Sequence, residues 1–166
     1  MEKAAALNGV ILQMFNHGIC AAAIFCFIGY LEERSGGLRG VDDFGGLRKI
    51  APIFCGLMGI SLFASLGLPG LNGFVGEFLI LAGVWTSASM SGLAAIYVLM
   101  GGLTITFAAI YMLFFFQGAM QETNQKLPAD LSDIDKKQIY MLLPACFLII
   151  FIGLFPKPIV DKISPS

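Results

Sequence analysis

Glu77 is the side chain of this sequence best suited to proton chemistry. It is the only charged residue in an apolar run that extends from about residue 50 to residue 85. A carboxylate at the depth of a bilayer core costs about 2.5–3.5 kcal/mol on insertion scales, so such residues usually have a function. Desolvation favours the neutral carboxyl, whereas a nearby cation favours the carboxylate. A carboxyl between these two influences can gain and lose a proton, and we predict this role for Glu77.

A structural ion pair that holds helices together is the alternative interpretation of Glu77. No other apolar segment supplies a lysine or arginine at membrane depth, so a basic partner would have to come from elsewhere. Trp85 is an aromatic residue suited to the membrane interface, and it lies eight residues beyond Glu77. At the rise of an α-helix, that separation places the carboxyl about 12 Å below the interface.

A polar stripe on the first apolar segment gives a second candidate for proton transfer. Gln13, His17 and Cys20 recur there at helical spacing, with Asn16 beside them. Such a stripe should face other helices or water rather than lipid. His17 can relay protons, because an unperturbed imidazole has a pKa of about 6.5. The alternative is that His17 and Gln13 form hydrogen bonds across a helix interface, with Gln13 also able to organise water.

Hydroxyl groups on the third apolar segment form a weaker pattern. Tyr97, Thr104 and Tyr111 are seven residues apart and share one helical face. Small residues and hydroxyls on such a face usually serve helix packing, and we favour that interpretation. A role in organising water stays open for Thr104 and Thr106.

The four cysteines do not predict a metal centre. They lie in apolar segments without a CxxC pair, and His17 is the only histidine. Zinc and iron–sulfur sites need ligands clustered at close spacings. We therefore expect buried thiols that pack as small hydrophobic groups, and no metal, haem or flavin in this chain.

The composition identifies the elements that must position these residues as membrane helices. The chain of 166 residues is 57% hydrophobic and 13% charged, against about 25% charged residues in soluble domains. The net charge of −1 and the lack of a basic tract argue against nucleic-acid binding. We predict an all-α integral membrane protein with the lipid bilayer as its surroundings.

Four apolar segments are long enough to be transmembrane spans, at residues 5–31, 50–85, 92–116 and 139–159. The second is too long for one straight helix, since its 36 residues would extend about 54 Å. Pro69 lacks an N–H group, and its ring would collide with the carbonyl of Ser65. Gly67, Gly70 and Gly73 would make the same turn more flexible. We therefore predict a discontinuous second helix, broken near Pro69.

The loops predict an orientation in the membrane. Seven basic residues fall in the two long loops: Arg34, Arg39, Arg48, Lys49, Lys126, Lys136 and Lys137. Three fall on the opposite side: Lys3, Lys157 and Lys162. Because lysine and arginine concentrate on the inner side, we expect both long loops on the cytoplasmic or inner side and both termini opposite.

Two stretches of the sequence resemble a known membrane family. SLFASLGLPGLNGFVGEFLILAGVW closely resembles the signature of subunit 4 (chain M in bacteria) of the proton-pumping NADH dehydrogenase, respiratory complex I. QMFNHGICAAAIFCFIGYLEER, followed by DDFGGL, resembles the preceding helix and loop of that antiporter-like family. The resemblance extends to the FPKPI segment, so it covers nearly the whole chain. Related subunits usually carry lysine where Glu77 stands, and the glutamate favours subunit 4.

The resemblance implies a role for each matched residue. Glu77 would be the terminal proton-transfer residue on a discontinuous helix, and His17 would belong to the central polar axis of the membrane arm. Residues 1–166 would form the C-terminal part of an antiporter-like, proton-translocating subunit, with the N-terminal helices of that subunit absent. The chain alone would therefore not pump protons.

The resemblance also implies partners, cofactors and a membrane. The chain would be part of an H⁺-translocating NADH:quinone oxidoreductase, without redox chemistry of its own. NADH, flavin, iron–sulfur clusters and quinone would belong to other subunits, and the partners would be other membrane-arm subunits and the missing helices. We expect a bacterial plasma membrane, with an organelle inner membrane as the alternative.

Two other functions stay open at this point. The chain could belong to a hydrogenase-linked or Mrp-type cation/proton antiporter complex, which would keep the ion path and change the source of energy. It could also be a truncated membrane protein that serves assembly or helix packing, with Glu77 in a residual ion pair.

Overall fold

The computed structural model describes residues 2–40, 43–88, 92–121 and 131–163. Within these ranges the chain is entirely helical apart from its connections, which confirms the predicted all-α class. The helices are α1 (Glu2–Arg34), α2 (Leu47–Ile50), α3 (Pro52–Ser65), α4 (Asn72–Ala88), α5 (Leu93–Met120), α6 (Lys136–Leu154) and α7 (Lys157–Ile163).

Three of these helices are long and apolar enough to cross a membrane: α1 from Ala6, α5 and α6. Two shorter apolar helices, α3 and most of α4, follow one another where the second span was predicted. The first predicted span thus corresponds to α1, the second to α3 and α4 together, the third to α5 and the fourth to α6. Helix α1 continues beyond its predicted end because Glu32, Glu33 and Arg34 extend it out of the apolar segment.

The break between α3 and α4 is formed by two consecutive glycine-dependent turns. Gly67 has a φ of 70°, and the N–H groups of Gly67 and Leu68 donate to the oxygens of Ala64 and Phe63. This is the Schellman arrangement that ends many helices. A tight turn follows, in which the Leu71 N–H donates to Leu68 O at 3.0 Å. With proline in its second position and a Gly70 φ of 94° in its third, it has the signature of a type II turn.

The role of Pro69 in the break differs from the sequence-based prediction. A collision between its ring and the carbonyl of Ser65 was expected to end the helix. The structure ends α3 at Ser65 through Gly67, before Pro69 is reached. Gly73 lies in the first turn of α4 rather than in the connecting loop. It is needed there because a Cβ atom would overlap the carbonyl oxygen of Ala64.

The two long loops meet at one end of the helices. Arg34, at the end of α1, donates to the backbone oxygens of Ser132 and Asp133 at 3.0 and 2.7 Å. Its guanidinium also forms an ion pair with Asp135, with N and O atoms 3.2 Å apart. The Asp133 carboxylate accepts hydrogen bonds from the N–H groups of Ile53 and Phe54 at 2.8 and 3.0 Å. The second loop therefore caps the N-terminus of α3 and holds α1 beside it.

The helices are packed very unequally. Helix α1 packs most extensively against α4 and also contacts α3 and α6. A core of buried residues near the long loops includes Phe27, Phe54, Met58 and Met120. Helix α5, in contrast, has few buried residues and presents a mostly apolar exposed surface. The most extensively packed environment for polar side chains is accordingly the contact of α1 with the broken helix.

Candidate functional site

Glu77 lies in the second turn of α4, half-buried beside the break. One carboxyl oxygen accepts a hydrogen bond from Gln13 Nε2 at 3.5 Å, at the long limit for such a bond. The other oxygen lies against Gly67, where a Cβ atom would overlap it. The carboxyl is therefore held between an amide of α1 and the turn that ends α3.

Helices α1 and α4 approach each other closely through glycines. A Cβ atom on Gly9 would lie 2.8 Å from the backbone nitrogen of Ile80, and one on Gly83 would lie 2.5 Å from that of Ala6. The side chain of Gln13 lies directly over Gly76. Small residues allow such backbone contact between membrane helices. We name this contact the α1/α4 seam, formed by Ala6, Gly9, Gln13, Asn16, Cys20, Asn72, Gly76, Glu77, Ile80 and Gly83.

A pair of buried asparagines lies in the seam next to Gln13 and Glu77. Asn16 and Asn72 are both fully buried. Asn16 Nδ2 donates to the backbone oxygen of Asn72 at 2.7 Å, and Asn72 Nδ2 donates to the backbone oxygen of Asn16 at 3.5 Å. The Cys20 thiol donates to Asn72 Oδ1 at 3.4 Å. These bonds fix the first turn of α4 against α1, and thereby the height of Glu77 along α1.

The charges around Glu77 favour a carboxyl that can be neutral. Neither of the ion pairs found in the described part of the chain, Arg34–Asp135 and Arg39–Glu32, includes it. The carboxyl also lies at the C-terminal end of α3, where the helix dipole is negative and disfavours an anion. A basic group that would stabilise the carboxylate therefore has to come from outside the described residues.

The structure does not bring His17 to Glu77. Its side chain is exposed, one turn beyond Gln13 along α1, whereas Cys20 on the same predicted face is buried. Gln13 is thus the residue of this stripe that contacts the carboxyl. In this chain His17 faces whatever lies beyond α1, and its predicted part in proton transfer depends on those neighbours.

The threonines of α5 are also away from the carboxyl. Thr104 Oγ1 and Thr106 Oγ1 donate to the oxygens of Met100 and Gly102 in their own helix, both at 2.9 Å, and both side chains are exposed. A cavity of about 550 Å³ lies instead between α4 and the C-terminal helices, bordered by Gly70, Phe74, Lys157 and Asp161. It places charged groups on the terminus-bearing side of the break.

Sequence reasoning missed two parts of this site. Gly67 was treated as a source of flexibility, although it also provides the surface against which Glu77 packs. Asn72 was not considered, although a polar amide inside the apolar run should hydrogen-bond to a neighbouring helix, as Asn72 does with Asn16 and Cys20. Among the described residues, no group of three or more His, Cys, Asp or Glu side chains could hold a metal ion.

Comparison with known proteins identifies the family. Residues 1–106 match the model of the family described as "NADH:quinone oxidoreductase/Mrp antiporter, TM". NADH-quinone oxidoreductase subunit M of Mycobacterium tuberculosis is 35% identical over 163 residues, which are 96% of this chain and 28% of that protein. F(420)H(2) dehydrogenase subunit M of Methanosarcina mazei is 32% identical over 155 residues, 93% of this chain and 30% of that protein.

A solved structure gives the same result. A chain of respiratory complex I from Thermus thermophilus superposes with a TM-score of 0.68 at 26% sequence identity, covering 96% of this chain and 36% of that chain. The chain spans less than a third of the length of the two curated relatives described above. Its apolar helices and this matching family model make it an integral membrane protein. The chain belongs to the NADH:quinone oxidoreductase/Mrp antiporter membrane family.

Proposed function

We propose that this chain contributes the output side of a proton path in a membrane-arm subunit of a proton-translocating NADH:quinone oxidoreductase, with Glu77 as the proton-transfer residue. The observation that carries this proposal is the position of the Glu77 carboxyl. It lies at a helix break, between Gln13 and Gly67, and forms no ion pair with any described residue. Irregular backbone at membrane depth occurs where it lines a cavity or is buried in protein.

The proposed path has an entry and an exit that fit the geometry. Protons would arrive from the side of α1 that carries the exposed His17 and pass Gln13 to reach Glu77. They would leave past the break, made by Gly67, Pro69 and Gly70, towards the cavity bordered by Lys157 and Asp161. With the basic loops on the inner side, release would occur on the outer side.

The proposal assigns the remaining functions to other chains. Helices belonging to the rest of the same subunit, together with neighbouring membrane-arm subunits, would cover the exposed surfaces of α1 and α5. NADH, flavin, iron–sulfur clusters and quinone would be bound elsewhere in the enzyme, which would sit in a bacterial plasma membrane. The short coverage of the relatives and the exposed His17 support this division.

Glu77→Gln in the assembled enzyme tests the proposal. The amide keeps the volume of the carboxyl but cannot carry a proton. A positioned proton donor or acceptor contributes about 100-fold to 10,000-fold, so we expect proton transfer through this subunit to fall by at least about 100-fold. The measurement is the initial rate of proton translocation into vesicles, with the number of protons per electron pair showing whether this subunit still contributes and quinone reduction by uncoupled membranes followed in parallel.

Glu77→Asp is the matched control, because it keeps a carboxyl and shortens the side chain by one methylene. We expect it to retain more translocation than Glu77→Gln. Undiminished translocation in Glu77→Gln would contradict the assignment of Glu77.

A second candidate keeps the proton path and changes the enzyme around it. The family description includes Mrp antiporters, and one relative is named as a subunit of an F(420)H(2) dehydrogenase. Purification of the assembly through this chain separates the candidates. NADH-dependent quinone reduction supports the first proposal, and reduction by a different donor, or an assembly without redox cofactors, supports the second.

A further inference from the structure

A cavity of about 490 Å³ lies between α1, α3 and α5, at the end of the helices that carries the long loops. Met58 and Met120, which are fully buried, line its inner part, and Phe115 lines it from α5. Ile28 at its edge is 41% exposed, so the cavity opens on the outer surface of the helices. Its volume is within the range of about 300–1,000 Å³ that is typical of ligand sites.

Two charged side chains, Glu32 and Arg39, lie at one end of this cavity, and they are the only charged ones among the described residues that line it. Glu32 is the first charged residue after the apolar segment of α1, and it therefore lies near the level of the lipid headgroups. Met58 lies six residues after Pro52, the first residue of α3, which is about 9 Å deeper along that helix. The cavity thus has a charged end at the membrane surface and an apolar part that extends towards the membrane interior.

The two charged groups pair in a way that leaves atoms of both for a ligand. Arg39 Nε and Nη2 both donate to Glu32 Oε1. Among the described residues, Arg39 Nη1 has no acceptor and Glu32 Oε2 has no donor. A guanidinium has five N–H groups in a planar fork, so its second edge can bind a phosphate while the first holds the carboxylate. The side chains of Arg39 and Glu32 are 78% and 34% exposed, so a ligand can reach both.

The chemistry of this site fits a zwitterionic phospholipid. An acyl chain gains little hydrophobic energy by moving from the bilayer into an apolar cavity, because lipid tails are as apolar as leucine. The headgroup therefore decides which lipid binds. Lipids with a net negative charge bind to clusters of several basic residues, whereas this cavity offers one cation and one anion. A phosphoethanolamine group carries the complementary anion and cation, and its ammonium has three hydrogen-bond donors, where a choline group has none.

We propose that this cavity binds one phospholipid with an ethanolamine headgroup, with its phosphate on Arg39, its ammonium on Glu32 and one acyl chain between α1, α3 and α5. A helix from another chain would fit less well, because it would remove both charges from water without supplying their counter-charges. Helices α1 and α5 have no extensive contact with each other, so the lipid would connect them. This inference does not depend on the function proposed for Glu77.

The first test uses the assembled enzyme, stripped of bound lipid in detergent, and a synthetic phosphatidylethanolamine that carries a photoactivatable diazirine in the middle of one acyl chain. Peptide mapping by mass spectrometry should locate adducts on α3 and α5 near Met58 and Phe115. Phosphatidylcholine and phosphatidylglycerol with the same chains lack the ammonium donors, so we expect their adduct yields to be about tenfold lower. Equal yields from the three lipids, or no adducts on these helices, would overturn the proposal.

The second test repeats the labelling in variants of the two charged residues. Arg39→Gln removes the phosphate-binding group, and we expect adducts of phosphatidylethanolamine to fall about tenfold. Glu32→Gln removes only the anion, so the yield with phosphatidylethanolamine should fall to that with phosphatidylcholine. Arg48→Gln is the matched control, because Arg48 is exposed on α2 and does not line the cavity. An equal loss in Arg48→Gln would show that the basic loop attracts lipid without a site and would contradict the proposal.

Two further measurements test the acyl-chain part of the site. Ala119→Leu adds a side chain to the cavity wall and should lower the adduct yield of every lipid. If that variant does not assemble, the Arg39 and Glu32 variants still decide, because they change exposed or partly exposed side chains. Electron cryo-microscopy of the enzyme in nanodiscs that contain phosphatidylethanolamine should show a phosphate within about 3.2 Å of Arg39 Nη1. A side chain of another helix filling the cavity would overturn the proposal.

Discussion

At the scale of single residues, the two contacts that the described part of the chain makes with the Glu77 carboxyl carry no charge. Gln13 donates to one carboxyl oxygen, and Gly67 forms the surface under the other. An amide donor and a glycine leave both protonation states accessible, whereas a lysine in contact would hold the carboxylate. The absence of a side chain at Gly67 is therefore as important to the carboxyl as the side chain at Gln13.

Substitution of Gly67 tests this contact. Gly67→Ala and Gly70→Ala both place a side chain at positive φ, which costs about 1–2 kcal/mol for an L-residue. Only at Gly67 would the new methyl overlap the Glu77 carboxyl, since a Cβ atom on Gly70 would meet no heavy atom within 4 Å. We expect a greater loss of thermal stability in Gly67→Ala, because the overlap adds to the strain at positive φ, and a greater loss of proton translocation in Gly67→Ala than in Gly70→Ala. Equal translocation by the two variants would show that the contact between Gly67 and the Glu77 carboxyl does not affect proton transfer.

The sequence identified Glu77, Gln13 and His17 as candidates for one proton path, but it did not predict that only Gln13 contacts Glu77. Helical spacing placed Gln13, His17 and Cys20 on one face. Such spacing cannot tell which edge of a face meets the neighbouring helix, because a buried stripe is about 100° wide or more. The α1/α4 seam lies towards Asn16 and Cys20, and His17 falls just outside it. The position of the seam depends on Gly9, Gly76 and Gly83, whose role appears only when both helices are seen together.

At the scale of elements, α3 is a half-helix with both ends satisfied by other parts of the chain. It has 14 residues, about 21 Å of helix. Its first N–H groups donate to Asp133 from a distant loop, and its last carbonyl oxygens accept from the turn at Gly67. Free helix ends are unfavourable in a low-dielectric setting, which explains why the break is built from hydrogen-bonded turns.

Removal of the Asp133 cap should loosen the start of α3. An N-cap substituted by alanine costs about 1 kcal/mol, so we expect roughly fivefold faster hydrogen exchange at the Ile53 and Phe54 amides in Asp133→Ala. Asp161→Ala is the control, because Asp161 is exposed on α7. Unchanged exchange in Asp133→Ala would mean that water replaces the carboxylate at no cost.

The sequence predicted that the break exists but not which turns form it. The length of the apolar run and the LGLPG sequence required an interruption. Proline was the expected cause, but a glycine two residues earlier ends α3 first. Sequence patterns locate such features to within a few residues, because competing turns use overlapping sets of glycine and proline.

At the scale of the whole molecule, one side of the chain is packed against its own helices and another side is exposed. The packing of α1 with α3, α4 and α6 contrasts with α5, where Tyr97, Phe107 and Phe114 are 64%, 65% and 70% exposed. The hydrogen bonds of Arg34 gather both long loops at one end, and α7 follows α6 at the other end. The described parts of both long loops thus lie at the same end, and the side of the membrane that they face stays a prediction.

Labelling from the two sides of the membrane tests the orientation. Arg39→Cys and Asp161→Cys lie on exposed positions near opposite ends of the helices. We expect a membrane-impermeant maleimide to label Arg39→Cys in inside-out vesicles and Asp161→Cys in vesicles of the opposite orientation. The unsubstituted chain measures background from its native thiols. Labelling of both variants from the same side would contradict the predicted topology.

The close glycine contacts between α1 and α4 also bear on how the protein can change over evolutionary time. At Gly9 and Gly83 the obstacles to a side chain include backbone atoms, so no rotamer change elsewhere can make room. At Gly18 and Gly29, which lie on α1 as Gly9 does, no heavy atom lies within 4 Å of a Cβ position. We therefore expect descendants of this gene to vary freely at the second pair, unless a neighbouring helix packs there, and rarely at the first. One inherited methyl group at Gly9 or Gly83 would move apart the two helices that now hold Gln13 and Glu77 in contact.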